Sequence, residues 1–409
     1  MSLKISNKKR HLTGNIKITG SKSESNRLLI LQALYPNLKI SNLSNSDDTH
    51  YLQKALQSED ELVDIHHAGT AMRFLTAYFS TLEGREVVLT GSKRMTERPV
   101  KLLVDALKQM GAEISYEQNE GYPPIRIKGK KLTANSVSLE ANISSQYISA
   151  LMLIAPSLPK GLKINLEGEI TSTPYIKMTL EILQRAGIKG IFKGNTIKIE
   201  PTPEVEKQTL AVESDWSSAS YYYSLAAISE TADLKLSTYR KTSLQGDSCL
   251  AEIYKQFGVT TKFEDDHIIL EKRPGSKPKH IEENLQNSPD IAQTIAVTCL
   301  ALNVPCHLTG LHTLKIKETD RLEALKTEIE KFGSKVKVTH NSLELFPKKD
   351  FSENVSVATY NDHRMAMAFA PLGLKIPFEI EDAEVVSKSY PGFWEDFEKL
   401  NFEIEKTSI

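Results

Sequence analysis

Cations in this sequence recur beside serine, glycine and carboxylate residues in a few short stretches. SKSESNR brings Lys22, Ser23 and Arg27 together, HAGTAMR sets Gly69 four residues ahead of Arg73, and RMTERP ends on Arg98 and a proline. SSQ supplies Ser144, Ser145 and Gln146, and SPD supplies Asp290. KIKETDR carries Lys317, Glu318 and Arg321, DHR is Asp362, His363 and Arg364, and VVSKSYPGF carries Lys388. Arginine holds phosphate and carboxylate groups through paired N–H donors. Such a set suits small substrates that bear several anionic groups. There is no HExxH, Cys299 and Cys306 lack zinc-ligand spacing, and neither a Walker loop nor a GxGxxG turn is present, so no metal or nucleotide cofactor is expected. The run KRMTER, with Arg94, reads as a solvated face. The adjacent His66 and His67 read as ordinary loop histidines.

Most of these residues stand at the start of one kind of element. SNRLLILQALY, GTAMRFLTAYF, SQYISALMLIA, SASYYYSLAAI, DIAQTIAVTCLAL and DHRMAMAFAPL each have a polar or glycine start and then a small-residue apolar run. A helix that is apolar all round is buried. The starts are spaced by 44, 76, 73, 72 and 72 residues, which indicates duplication. Between them lie amphipathic helices stopped by Gly111, Gly187, Gly258 and Gly333, where glycine enters the left-handed conformation without Cβ strain. Short alternating runs follow, as in KVKVTHNSLELF, and read as hairpins. The unit is a buried helix, a strand, an exposed helix and a hairpin. Between Ser25 and Gly69 the hairpin does not fit, so the first unit is truncated.

A helix start leaves its first N–H groups unpaired and carries partial positive charge, which favours anions. Serine and aspartate there need no explanation beyond N-capping. Lys22 and Arg364 oppose the dipole, so an anion is expected beside each.

Composition sets the wider limits. At 409 residues, 40% hydrophobic and 25% charged, the chain is of globular type and long enough for two domains. With 51 basic and 52 acidic residues its net charge is −1, which disfavours nucleic-acid binding. MSLKISNKKRHL is not a signal peptide, and no apolar stretch is long enough to span a bilayer. Cys249, Cys299 and Cys306 are few and scattered, which points to reduced thiols and a cytoplasmic setting.

Taken together and in order, GSKSESNR, AGTAMR, RMTERP, SSQY, STPYIKMTL, SPDIAQT, KIKETDR, YNDHRMAM and KSYPGF resemble the EPSP synthase (3-phosphoshikimate 1-carboxyvinyltransferase) family, from about residue 14 to residue 400. The resemblance implies an α/β fold of two inverse α/β barrel domains, each of three βαβαββ units, with a hinged cleft. It places the boundaries at residues 21–213 for one domain and residues 1–20 with 214–409 for the other. It implies enolpyruvyl transfer from phosphoenolpyruvate to the 5-hydroxyl of shikimate 3-phosphate, in the shikimate pathway, by a monomer that needs no cofactor. Lys22, Ser23, Arg27, Ser144, Ser145, Gln146, Ser172, Tyr175, Asp290 and Lys317 then meet shikimate 3-phosphate. Lys22, Gly69, Arg98, Gln146, Arg321, Arg364 and Lys388 meet phosphoenolpyruvate, whose place glyphosate takes in this family. Asp290 is the base for the hydroxyl and Glu318 the proton donor to the methylene carbon, with Lys22 able to exchange protons with either.

The chain departs from the family pattern at His67, Phe74 and Thr313, where asparagine, proline and asparagine are usual. Two other readings compete. A UDP-N-acetylglucosamine enolpyruvyl transferase would carry a cysteine near the Arg98 loop, where SKRMTERP has none. A non-catalytic binding protein built on the repeats would have no use for Asp290 and Glu318 beside so many cations.

Overall fold

The computed structural model describes residues 1–140, 144–168, 170, 173–275 and 277–407. The chain forms two compact units, residues 20–212 and residues 1–19 with 213–409, so it passes between them twice.

The repeat is clearest in Ile281–Phe346. Strand Ile281–Asn284 leads through helix Ala292–Leu302 to strand Cys306–Thr309, which pairs with it in parallel. Helix Arg321–Lys331 then leads to the hairpin Lys335–Val338 and Ser342–Phe346, whose second strand pairs antiparallel with Cys306–Thr309. The βαβαββ order follows from side-chain size. The Ala292 helix is made of small and apolar residues and is buried almost throughout, whereas the Arg321 helix carries an exposed charged face. The strands alternate, so one face of the sheet packs inward.

The same plan recurs over Leu62–Lys128 and Ser136–Ile199 in the first unit. Elsewhere distant segments complete the sheets. His11–Lys17 pairs in parallel with Thr231–Ser237, and Ser2–Ser6 fills the place between Phe378–Ile380 and Glu403–Thr407. The N-terminal segment therefore belongs to the second unit because two of its sheets need those strands. In the first unit Gln208–Ala211 pairs in parallel with Leu38–Ser41, and this sheet has only those two strands. The hairpin missing from the sequence is missing here too.

Among the described residues, three helices are buried in each unit. Trp216–Ile228, Ala292–Leu302 and His363–Phe369 form the core of one, and Lys22–Leu34, Gly69–Ser80 and Ser145–Ile154 are largely buried in the other. Their polar groups pair with one another, as the Ser220 and Thr294 hydroxyls do at 3.0 Å.

Two elements differ from the expectation. LAEIYKQFG is not one amphipathic helix but a single turn, Leu250–Ile253, between 3-10 turns Gly246–Cys249 and Tyr254–Phe257. DHRMAMAFAPL stays α-helical only to Phe369 and tightens to 3-10 over Ala370–Leu374, where Pro371 offers no N–H. Gly111, Gly187, Gly258 and Gly333 all have positive φ, as their stop positions require. Among the described residues no helix is long and apolar enough to cross a membrane.

Candidate active site

In the unit of residues 20–212, Ser21 and Ala68 precede the Lys22 and Gly69 helices, and neither caps through its side chain. The first-turn N–H groups thus lack side-chain caps, the arrangement that receives anions. Lys22 Nζ lies 3.6 Å from Asp48 Oδ1. Arg73 donates from Nη1 to the Gly69 carbonyl at 3.0 Å and from Nη2 to the Pro99 carbonyl at 3.1 Å. The Tyr147 hydroxyl donates to the same Pro99 oxygen at 2.6 Å. Together they tie the loop that bears Arg98 to the start of the Gly69 helix. A Cβ on Gly69 would come within 2.4 Å of Arg98 Nη1, so the guanidinium rests on the glycine itself. Burial, then the nearby Arg98 cation, lowers Arg73 to about 10.

Arg27 is buried. It donates to the Thr179 hydroxyl at 2.7 Å, the Ser23 carbonyl at 2.8 Å and the Ser149 hydroxyl at 3.0 Å, none of them a carboxylate. Phe74, the departure from proline, sets its ring 5.4 Å from the Arg27 guanidinium carbon, and Tyr175 sets its own at 5.9 Å. Burial lowers Arg27 to about 10, against the pull of Tyr175 and Glu24. Ser144 caps its helix by accepting from the Gln146 N–H at 3.4 Å, while Gln146 Nε2 reaches the Thr70 hydroxyl at 3.3 Å. Ser145 is buried beside them. Ser172 lies outside the described residues.

In the second unit the ionisable groups converge on Asp290. Its Oδ1 lies 2.9 Å from Arg321 Nη1 and 3.6 Å from Lys317 Nζ, and its Oδ2 lies 3.2 Å from Arg364 Nη2. Asp290 does not cap the following helix, whose N-cap is Ile291. Capping accounts for Ser144 and Asp362 but not for Asp290. Arg321 is 2% exposed and divides its guanidinium among three carboxylates: Asp362 Oδ2 at 2.6 Å from Nε, Asp290 at 2.9 Å, and Glu318 Oε2 at 2.8 Å from Nη2. Burial pulls the Arg321 pKa down, but Asp362, Glu318 and Asp290 outweigh it and raise it above the usual value. Arg364 is likewise raised against its own burial, chiefly by Asp290. Lys388 Nζ donates to the Asn361 carbonyl at 2.7 Å and its side-chain oxygen at 2.8 Å, securing a turn in which Tyr360 and Asn361 both have positive φ.

These contacts revise several expectations. The anions expected beside Lys22 and Arg364 are side chains of the chain itself, Asp48 and Asp290. His66 and His67 do lie in a turn, the one before the Gly69 helix, as loop histidines should; Tyr51 stacks on His66 at 5.2 Å, and His67 Nε2 lies 3.8 Å from Asp47. Arg94 pairs only with exposed Glu97 among the described residues, as a solvated face would. The Thr313 hydroxyl has no hydrogen-bond partner among the described residues. Asp48, Ser217, Asp247 and the bracing pair Arg73 and Tyr147 were not singled out by the sequence for these roles.

Chemically, the second unit offers a carboxylate gathered by three cations, with a second carboxylate, Glu318, on the same arginine. The first offers uncapped helix starts edged by Lys22 and Arg98.

Comparison with known proteins adds an independent observation. The model of the EPSP synthase (3-phosphoshikimate 1-carboxyvinyltransferase) family matches residues 50–397. A 3-phosphoshikimate 1-carboxyvinyltransferase of Bacteroides fragilis is 45% identical over 399 residues, covering 96% of this chain and 97% of its own. The enzyme of that name from Histophilus somni is 36% identical, covering 95% and 97%. Among solved structures, EPSP synthase from Acinetobacter baumannii superimposes with a TM-score of 0.83 at 21% identity, covering 99% and 100%. The enolpyruvyl transferase NikO from Streptomyces tendae does so at 0.72 and 14%, covering 100% and 99%. At those identities the two structures speak for the α/β fold alone.

Proposed function

The chain belongs to the EPSP synthase family, and from that premise we propose how its residues divide the work. The reaction moves the enolpyruvyl group of phosphoenolpyruvate onto the 5-hydroxyl of shikimate 3-phosphate and releases phosphate, a step of the shikimate pathway. We assign it to the cytoplasm and to a monomer.

The observation that carries the division is Asp290, a carboxylate that is not the N-cap of the helix after it and is held by Lys317, Arg321 and Arg364. Asp290 takes the proton of the attacking hydroxyl. Glu318, partly exposed on the far side of Arg321, protonates the methylene carbon as the new C–O bond forms and takes a proton back from the resulting methyl group as phosphate leaves, which restores the enol ether. Arg364 and Lys388 receive anionic groups of phosphoenolpyruvate. Arg321 joins them only by exchanging one of its carboxylates, so its first task is to hold Asp290 and Glu318 apart. In the other unit the uncapped N–H groups at Gly69 with Arg98 and Lys22 bind phosphoenolpyruvate, with Gln146 shared between the substrates. Ser23, Arg27, Ser144, Ser145, Ser172, Tyr175, Asp290 and Lys317 serve shikimate 3-phosphate. Charge neutralisation then lowers the barrier without a metal. Phosphate release measured with both substrates, and with each omitted in turn, tests the reading. Release should need both; release that ignores shikimate 3-phosphate would overturn it.

Gly69→Ala tests the phosphoenolpyruvate assignment. The new methyl meets the end of a flexible arginine, not backbone, so the fold should lose about 1 kcal/mol or less. Displacing Arg98 and crowding the uncapped turn should raise KM for phosphoenolpyruvate by about tenfold, since losing one charge-assisted contact is worth about 1.5 kcal/mol or more. KM for shikimate 3-phosphate should stay nearly constant. Equal changes for both substrates in steady-state kinetics would remove Gly69 from the site.

A further inference from the structure

Asp247 lies on the 3-10 turn Gly246–Cys249 and is 7% exposed. The proton transfers assigned above do not use it. The Ser217 hydroxyl donates to Asp247 Oδ2, and the same hydroxyl oxygen accepts from Arg364 Nη2 at 3.2 Å. That nitrogen is also 3.2 Å from Asp290 Oδ2. One guanidinium nitrogen is therefore held by two carboxylates, Asp290 directly and Asp247 through a hydroxyl.

We propose that Asp247 is a positioning residue for Arg364: through Ser217 its ionised carboxylate holds the arginine's charge, and its protonation leaves that charge to an incoming phosphoenolpyruvate. The proposal rests on the assignment of Arg364 to that substrate. The charged and titratable groups facing Asp247 are Asp290, Arg364, Asp215 at the neighbouring helix start, and the Cys249 thiol. Burial, then Asp290, pushes the Asp247 carboxyl up to about 7, against Arg364 and the Ser217 bond. An anion arriving at Arg364 adds negative charge, so binding draws a proton onto Asp247. Above the free-state pKa that proton must be taken from solvent, and affinity falls as pH rises.

The experiment is steady-state kinetics on the unaltered chain and on Asp247→Asn, varying phosphoenolpyruvate at saturating shikimate 3-phosphate from about pH 6 to about pH 8.5. The substrate's own titration is common to both proteins and cancels in the ratio of their KM values. The ratio of unaltered to variant KM should rise by about tenfold over that range, the effect of one proton linked to binding over about one pH unit. A flat ratio overturns the proposal, whatever the variant's overall activity. Ser217→Ala supplies a second reading should Asp247→Asn not fold. It removes the hydroxyl through which Asp247 reaches Arg364, so the rise of KM with pH should flatten toward that of Asp247→Asn, and a rise as steep as that of the unaltered chain also overturns it. Arg364→Lys separates the two levels of argument. If it leaves KM for phosphoenolpyruvate unchanged, the assignment of Arg364 fails and this proposal with it. If that KM rises while the Asp247→Asn ratio is flat, only Asp247 is wrongly placed.

Discussion

Asp290→Asn is expected to lower kcat by about a hundredfold to ten-thousandfold, the range that a positioned general base contributes. The substitution keeps the size of the side chain and one hydrogen-bond acceptor, so Arg321 Nη1 can still donate to it. What it removes is the basic site for the hydroxyl proton. The structure adds a second expectation. Arg364 loses its carboxylate partner at 3.2 Å, so its charge becomes more available to an anionic ligand. KM for phosphoenolpyruvate should therefore stay the same or fall while kcat collapses, the pattern of an interaction needed in the transition state. Steady-state kinetics with both substrates varied, and a melting curve as folding control, decide the matter. A variant within about threefold of the unaltered kcat, well under the contribution of a general base, would leave Asp290 as a partner of three cations and send the search for the base elsewhere.

How much of this was legible beforehand depended on whether the signal was local. The six buried helices show in the sequence because small apolar residues without a polar face have one physical outcome. The four glycine stops show because positive φ is a property of a single position. The α/β class followed from those elements and their spacing. The barrel architecture and the chemistry came from the resemblance; the family comparisons agree with the chemistry and with an α/β fold. Strand pairing was not legible. His11–Lys17 alternates as a strand should, but nothing local says that it joins Thr231–Ser237, more than 200 residues away. The hairpin-sized gap before Gly69 was legible, because a deletion leaves a count.

At the site, motifs found the cations one at a time and could not find their partners. Lys22 meets Asp48 across two helices, and Arg321 meets Asp362 across 41 positions. Such pairs are set by how helices pack, and no spacing rule announces them. Asp247 was missed for the same reason, since QGDSC looks like an ordinary turn. Arg364 does oppose its helix dipole, but the anion that this calls for, Asp290, is already in the chain.

The largest expected effect on stability follows from that last kind of pair. Arg321→Met removes a buried cation and leaves the hydrocarbon volume largely filled, so packing loss is small. Glu318 is partly exposed and can turn to water, and Asp290 keeps Lys317 and Arg364. Asp362 is fully buried, and besides Arg321 its side-chain partners among the described residues are the Arg364 N–H that it caps, at 2.9 Å, and the His363 ring, 4.0 Å away at Nδ1. A buried carboxylate deprived of its cation costs about 3–5 kcal/mol. Arg321→Met should therefore unfold at markedly lower denaturant than the unaltered chain, in the transition of the unit of residues 1–19 with 213–409. The cause can be isolated by adding Asp362→Asn, since asparagine also caps a helix start and carries no charge. The double variant should regain about half or more of the lost stability, because the uncompensated charge is what made the single variant costly. If the two substitutions simply add, the loss lies in packing around residue 321 and not in the stranded carboxylate.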